Sequence, residues 1–239
     1  QTKISNSEMA AKAGLACIAD SFIPLSKIQM LSCATTQGDL VLPGFGSMVQ
    51  SEMNLSGVEL HTSHGICSSS MMALKTAFTS MKAECNDNAL VIASELSSRL
   101  FKHTRYEQLA SDETDFNAEF LRWMLSDGAG AMLLESKPRG QKSLRIDWIR
   151  SFSHADAFPV CMSIGHAKQD TFKTWQDYGT YAEAENAGAL MLRQDVRLLD
   201  NVVAIGVQGF LTLISEGLVV PGKIDHVLCH FSSKYFKSK

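Results

Sequence analysis

The sequence predicts an α/β fold of layered helices and strands. Helix-period segments alternate with strand-like segments along the chain, and residues 58–94 have the pattern of a strand, a tight turn, a helix and another strand. With 239 residues, the chain is long enough for one sizeable core or two fused modules. These observations argue for a protein in which helices and strands form separate layers.

The first elements follow from local signals. Ser5 and Glu8 have the spacing of a capping box, and the apolar pattern behind them predicts a helix that ends near Pro24. The next three elements are predicted to be a half-buried strand, a short helix and a second strand, at 27–35, 47–53 and 58–62.

The later elements follow from similar patterns. A helix rich in small residues is predicted directly after Cys67 and ends at Asn86 and Asp87. Further strands or strand-like patterns are predicted at 89–94, 131–135, 144–152 and 225–229. Residues 198–218 predict a long amphipathic helix that ends at Pro221.

Composition excludes several classes of protein. The formal net charge of -3 gives no global basic field for nucleic acid. The longest apolar runs are strand-sized, so no membrane span is expected. Six scattered cysteines without a CxxC pair suit free thiols in a reducing compartment. The polar start has no secretory signal, so we expect a cytoplasmic protein, with an incomplete or processed amino terminus.

Cys67 is the main candidate for chemistry. It stands at a predicted strand-to-helix junction, where unpaired amides and the helix dipole favour a thiolate. The same amides can stabilise an oxyanion on a thioester under attack. From the residues alone, a buried structural cysteine explains this position equally well.

Other candidate residues favour ordinary structural roles. His61 and His64 have the spacing of a metal pair but lack further nearby ligands, so we expect no metal site. Cys33 and Cys229 are expected to be buried thiols in strands. The glycine-rich run 127–130 lacks the ending of a phosphate-binding loop and is interpreted as a strand entry. A small basic cluster at 99–105 is interpreted as a solvated loop, with docking of an acidic carrier protein as the alternative.

The block around Cys67 reads Thr62-Ser-His-Gly-Ile-Cys67-Ser-Ser-Ser-Met-Met-Ala-Leu-Lys75. Together with four further blocks in the same order, it resembles the ketoacyl-carrier-protein synthase III family of the thiolase superfamily, and this block is similar to the family's nucleophile segment. The others resemble the strand and loop before it, the strand after its helix, the glycine-rich strand entry and the strand that presents the family's histidine; they lie at 30–44, 90–98, 125–135 and 224–230. The resemblance implies a thiolase-like layered α-β-α-β-α fold of two related halves, at 1–150 and 151–239.

The resemblance also implies roles for individual residues. Cys67 would accept an acyl group, and His230 would bind the carbonyl of a malonyl-type thioester during decarboxylation and carbon–carbon bond formation. Three residues before the glycine turn, Phe120, Trp123 and Met124, would shape the acyl pocket, although plain core positions would look the same. His64 is a further candidate for the pocket lining, with a hydrogen-bonded structural histidine as the favoured alternative. The substrates would be thioesters of coenzyme A or acyl carrier protein, with no cofactor. A homodimer is expected.

The sequence also departs from the family pattern. Phe231-Ser-Ser233 stands where the family commonly has Gln-Ala-Asn, which leaves the preferred partner open. The family's catalytic Asn would lie beyond Lys239 and its first strand before Gln1, so we expect the chain to be truncated at both ends. The expected setting is fatty-acid, polyketide or related secondary metabolism. Two alternatives are an acyltransferase of the same superfamily without condensation and a non-catalytic partner of a condensing enzyme.

Overall fold

The computed structural model describes residues 3–107, 116–140, 143–168 and 172–230. These residues form two compact units, one within 1–97 and 126–151 and the other within 98–125 and 152–239. The helices of eight or more residues are α1 (Asn6–Ala19), α2 (Phe45–Glu52), α3 (Ser69–Lys82), α5 (Phe116–Met124) and α7 (Leu199–Ser215), and the shorter ones are α4 (His103–Glu107) and α6 (Tyr181–Asn186). The strands are β1 (Met30–Thr35), β2 (Glu59–His64), β3 (Asn88–Glu95), β4 (Gly128–Glu135), β5 (Met162–Ser163) and β6 (Arg193–Gln194).

Helix α1 begins as the sequence predicts. The Ser5 side chain accepts a hydrogen bond from the Glu8 amide at 3.0 Å, and the Glu8 carboxylate accepts one from the Ser5 amide at 2.6 Å. Asp39 adds a second carboxylate, which accepts from the amides of Asn6 and Ser7. A negative charge at this position is favourable because it meets the positive end of the helix dipole. The helix ends at Ala19, before Pro24.

The first unit contains a four-stranded sheet in the order β2-β1-β3-β4. β1 runs parallel to both β2 and β3, and β4 runs antiparallel to β3. The carboxyl ends of β1, β2 and β3 therefore meet at one edge of the sheet. Helix α3 follows β2 and connects it to β3, as expected for a parallel crossover.

β1 is buried along its whole length, so the prediction of a half-buried strand was wrong. Alternate residues of β1 contribute to two cores. Leu31 and Cys33 join the core that includes α1 and α2, whereas Met30 and Ala34 join the one that includes Ala73 of α3. A strand with helices on both faces is apolar on both faces, which strict alternation does not reveal. Each fully buried leucine or isoleucine here contributes about 1.5–3 kcal/mol.

Three strand predictions differ from the structure. In the described part of the chain, no strand covers 144–152 or 225–229. The glycine-rich run 127–130 does not precede a strand but lies largely inside β4, which begins at Gly128. Alternation shows that a segment is compatible with a strand, but a strand also requires a neighbouring edge with which to form hydrogen bonds.

The second unit contains α4–α7 and the two-stranded sheet of β5 and β6. It starts at residue 98, so it takes in 98–125, which the sequence-based division places with 1–150. The division of the fold into related halves stays a prediction. Arg122 Cζ lies 4.3 Å from the centre of the Tyr106 ring. Arg105 Nε lies 3.4 Å from Glu185 Oε1, so one member of the basic cluster at 99–105 is paired within this unit.

The long predicted helix is present as α7. Among the described residues, one segment, Val196–Ser215, is long and apolar enough to cross a membrane, and no residue of α7 within it is buried. The sequence expectation of no such segment is thus corrected; Asp200 and Gln208 interrupt the apolar run and concealed its length. Length and composition alone are weak evidence for a membrane span, because core helices of water-soluble proteins share both properties.

Candidate active site

Cys67 lies in the four-residue turn between β2 and α3. Its backbone adopts the left-handed conformation with φ 58°, and Gly65 in the same turn has φ 157°. The Ser68 amide donates to the Ile66 carbonyl at 2.6 Å, which closes the turn immediately before the helix. A residue other than glycine pays a steric penalty for a left-handed φ, and such conformations concentrate at functional sites.

Cys67 is exposed. The alternative of a buried structural cysteine is therefore wrong for this position. Helix α3, which begins two residues later, has 14 residues, and its N-cap residue Ser68 makes no side-chain cap hydrogen bond. The amides of the first turn thus lack the side-chain acceptor that commonly satisfies them, and the helix dipole favours negative charge at this end. Both features suit a reactive thiol.

A carboxylate that the sequence analysis did not single out lies at the same edge of the sheet. Glu95 ends β3, and its Oε1 accepts a hydrogen bond from the Thr36 amide at 2.6 Å. Burial raises the pKa of Glu95, while hydrogen bonds from Thr36 and Thr35 and the nearby charge of His64 act in the opposite direction. The available signal was a single acidic residue at the end of an otherwise uncharged strand pattern.

His64 is the last residue of β2 and is exposed. It therefore shares the sheet edge with Thr36 and Glu95, in the same unit as Cys67. Its predicted role as a pocket residue stays a prediction. His61 is instead bound within the fold: its Nδ1 lies 3.0 Å from Ser32 Oγ, and burial lowers its pKa.

A buried polar network supports this edge of the sheet. The Asn6 side-chain amide donates to Thr35 Oγ1 at 3.0 Å and to the Gln37 carbonyl at 3.1 Å. Ser94 Oγ donates to Asn6 Oδ1 at 2.7 Å. The network links the start of α1 to the ends of β1 and β3, so three elements are held together at the sheet edge that includes Glu95.

The remaining predicted site residues belong to the second unit. His230 is exposed and lies outside any strand, and its pairing with Cys67 stays a prediction. Cys229 is exposed, so its prediction as a buried thiol was wrong, whereas Cys33 is buried as predicted. The three predicted pocket residues lie on α5, where Trp123 is 88% exposed; Phe120 and Met124 are half-buried. Phe231-Ser-Ser233 lies outside the described residues.

Comparison with known proteins identifies the relatives of this chain. Residues 63–151 match the family described as 3-Oxoacyl-[acyl-carrier-protein (ACP)] synthase III. Beta-ketoacyl-[acyl-carrier-protein] synthase III of Laribacter hongkongensis is 30% identical over 128 residues, which are 54% of this chain and 36% of that protein. The protein of the same name from Neisseria gonorrhoeae is 28% identical over 134 residues, or 56% and 38%. The chain thus spans little more than a third of the length of these relatives.

A solved structure with the same fold is acetamide-bound OleA of Xanthomonas campestris. It superposes with a TM-score of 0.51 at 21% identity, covering 56% of this chain and 42% of OleA. At this identity the likeness concerns the fold, and it confirms the predicted thiolase-like architecture. The family match includes Cys67, the last two residues of β2 before it and all of α3 after it. Residues 63–151, which carry Cys67, are therefore the part of the chain that is similar to the 3-oxoacyl-[acyl-carrier-protein] synthase III family.

Proposed function

We propose that the protein is a condensing enzyme in which Cys67 carries the acyl group. The proposal rests on one observation: an exposed cysteine in a left-handed turn at the amino end of a 14-residue helix. In the first step, the Cys67 thiolate attacks the carbonyl carbon of an acyl thioester. The tetrahedral oxyanion collapses, the new carbon–sulfur bond remains, and the thiolate of coenzyme A or a carrier protein leaves.

The second step makes the carbon–carbon bond. A malonyl-type thioester loses carbon dioxide, and the electron pair of the broken bond forms an enolate. His230 is proposed to donate a hydrogen bond to this enolate oxygen, for which a neutral imidazole is suited near pH 7. The carbanion carbon attacks the acyl-Cys67 carbonyl, Cys67 leaves as a thiolate, and a β-ketoacyl thioester is released.

The substrate and cellular setting belong to the same proposal. Phe120, Trp123, Met124 and His64 are proposed to shape the acyl pocket. Acyl carrier protein and coenzyme A thioesters are the proposed partners, and no cofactor takes part. The protein is proposed to act as a homodimer in the cytoplasm, in fatty-acid or polyketide synthesis. The similarity to proteins named as synthase III supports the proposed thioester substrates and the place in fatty-acid synthesis.

Mass spectrometry of the acylated protein tests the first step. The protein is incubated with an acyl-coenzyme A, and the acyl mass is mapped to a peptide. We expect the mass on the Cys67 peptide, and we expect Cys67→Ala to abolish it while leaving the fold intact. Cys85→Ser is the matched control, because Cys85 is also exposed and lies just beyond the other end of α3. Absence of acylation in the unaltered protein would favour a non-catalytic partner instead.

Addition of malonyl-carrier protein tests the second step. A β-ketoacyl product supports condensation, whereas acyl-Cys67 without this product supports an acyltransferase. His230→Ala is expected to impair decarboxylation more than acylation. Equal loss of both steps would contradict the role proposed for His230.

A further inference from the structure

A path of direct contacts connects Glu95 to the turn that holds Cys67. Glu95 Oε1 accepts a hydrogen bond of 2.6 Å from the Thr36 amide. The Thr36 hydroxyl donates a hydrogen bond of 3.2 Å to the Gly65 carbonyl. Gly65 is two residues before Cys67 and shares its turn. Two hydrogen bonds therefore join the end of β3, the residue after β1 and the turn after β2.

The position of the carboxylate is restrained from several sides. Thr35 Oγ1 lies 3.5 Å from Glu95 Oε2, and the neighbouring Ser94 is buried and bonded to Asn6. A partly buried carboxylate carries a desolvation cost that a solvent-exposed one avoids. The charge-assisted bond to the Thr36 amide offsets part of this cost, and such bonds are stronger than bonds between neutral groups. Because the Thr36 backbone is held by Glu95, the Thr36 hydroxyl is positioned to hold the Gly65 carbonyl in place.

We infer that Glu95 is a positioning residue for the Cys67 thiol. Through Thr36 it fixes the Gly65 carbonyl, and this holds the turn in the geometry that presents Cys67 at the amino end of α3. The inference rests on the proposed function, in which Cys67 is the acyl acceptor. Glu95 itself takes no part in bond making or breaking.

The test compares variants that keep or remove each contact. Glu95→Gln keeps an oxygen acceptor for the Thr36 amide, and Glu95→Leu removes it. Thr36→Ser keeps the hydroxyl, and Thr36→Val removes it. The readout is the rate at which iodoacetamide alkylates Cys67 in the intact protein, followed by peptide mass spectrometry. Cys85, exposed and outside the turn, provides the rate control within every sample.

The inference predicts a specific pattern of rates. Glu95→Leu and Thr36→Val should each lower the alkylation rate of Cys67 by about tenfold, the scale of one lost hydrogen bond. Glu95→Gln and Thr36→Ser should each restore most of the original rate, which a general packing defect would not allow. The double variant Glu95→Leu with Thr36→Val should add little to either single change, because both interrupt the same path.

Two results would overturn the inference. One is an unchanged Cys67 rate in Glu95→Leu, and the other is a change of equal size at Cys85. Acylation by acyl-coenzyme A is measured on the same samples. If the unaltered protein fails to acylate while the alkylation pattern holds, the proposed function fails and the positioning role of Glu95 stands.

Discussion

Replacement of Cys67 by glycine should stabilise the protein while removing the proposed acyl acceptor. A left-handed φ costs an L-residue about 1–2 kcal/mol, and glycine avoids this penalty. Glycine loses about 0.5–1 kcal/mol more than alanine through its backbone entropy, so the midpoints of the two ranges leave a net gain of about 0.75 kcal/mol. Little packing is lost, because Cys67 is exposed. For a chain of this length, the gain corresponds to a rise in Tm of about 1–4 °C.

The assay is thermal unfolding followed by circular dichroism, with Cys67→Ala as the reference because alanine retains the Cβ atom. Glu84→Gly is the matched control. Glu84 has the same φ of 58° and is exposed just beyond the carboxyl end of α3. The Glu84→Gly variant should gain similar stability and should still be acylated at Cys67. The reasoning is refuted if Glu84→Gly is stabilised while Cys67→Gly is no more stable than Cys67→Ala.

Three further predictions concern the first unit. Gly14→Ala should destabilise by about 1–3 kcal/mol in urea unfolding, since its Cβ would lie 2.6 Å from Ile92 Cδ1 and overpacking outweighs the gain in helix propensity; a stabilised variant would contradict this. Cys33, whose pKa burial raises to about 12, should resist iodoacetamide near pH 8 until the protein is unfolded, and rapid labelling in the folded state would be the contrary result. Because burial raises the pKa of Glu95, its contribution to stability is complete below its ordinary value of 4.5 and is lost as the pH rises through the raised value. As the pH rises from 4.5 through the raised pKa of Glu95, the free energy of unfolding of the unaltered protein should therefore fall relative to that of Glu95→Gln. A difference between the two proteins that stays constant with pH would disprove the raised pKa of Glu95.

The strand–turn–helix–strand unit around Cys67 was predictable because its signals are local. The capping box of Ser5 and Glu8 placed the start of α1 correctly, and the small residues after Cys67 matched a helix packed on a sheet. The burial of β1 was not predictable from alternation alone. Ser32 suggests an exposed face, but it is fully buried and donates to the Ala73 carbonyl at 2.9 Å. A polar residue can occupy a core when a partner satisfies it, and that partner lies far away in sequence.

The site was predicted only in part for the same reason. Cys67 has a local signature, whereas Glu95 gains its importance from Thr36, which lies on a different strand connection. Residues 144–152 alternate as a strand would, yet in the described part of the chain they have no strand partner. Local patterns do not show which distant segments lie next to each other. For this reason the sequence analysis assigned strands that the structure lacks and overlooked the Glu95 carboxylate.

Asn6 has a consequence for the way the protein is handled in the laboratory. This residue is 2% exposed and braces the ends of two sheet strands from the first turn of α1. Shortening the chain past it during preparation would leave the apolar layers largely intact, so the sample would still look folded by spectroscopy. The brace at the edge of the candidate site would nevertheless be lost, and an inactive sample of that kind would say little about the native protein.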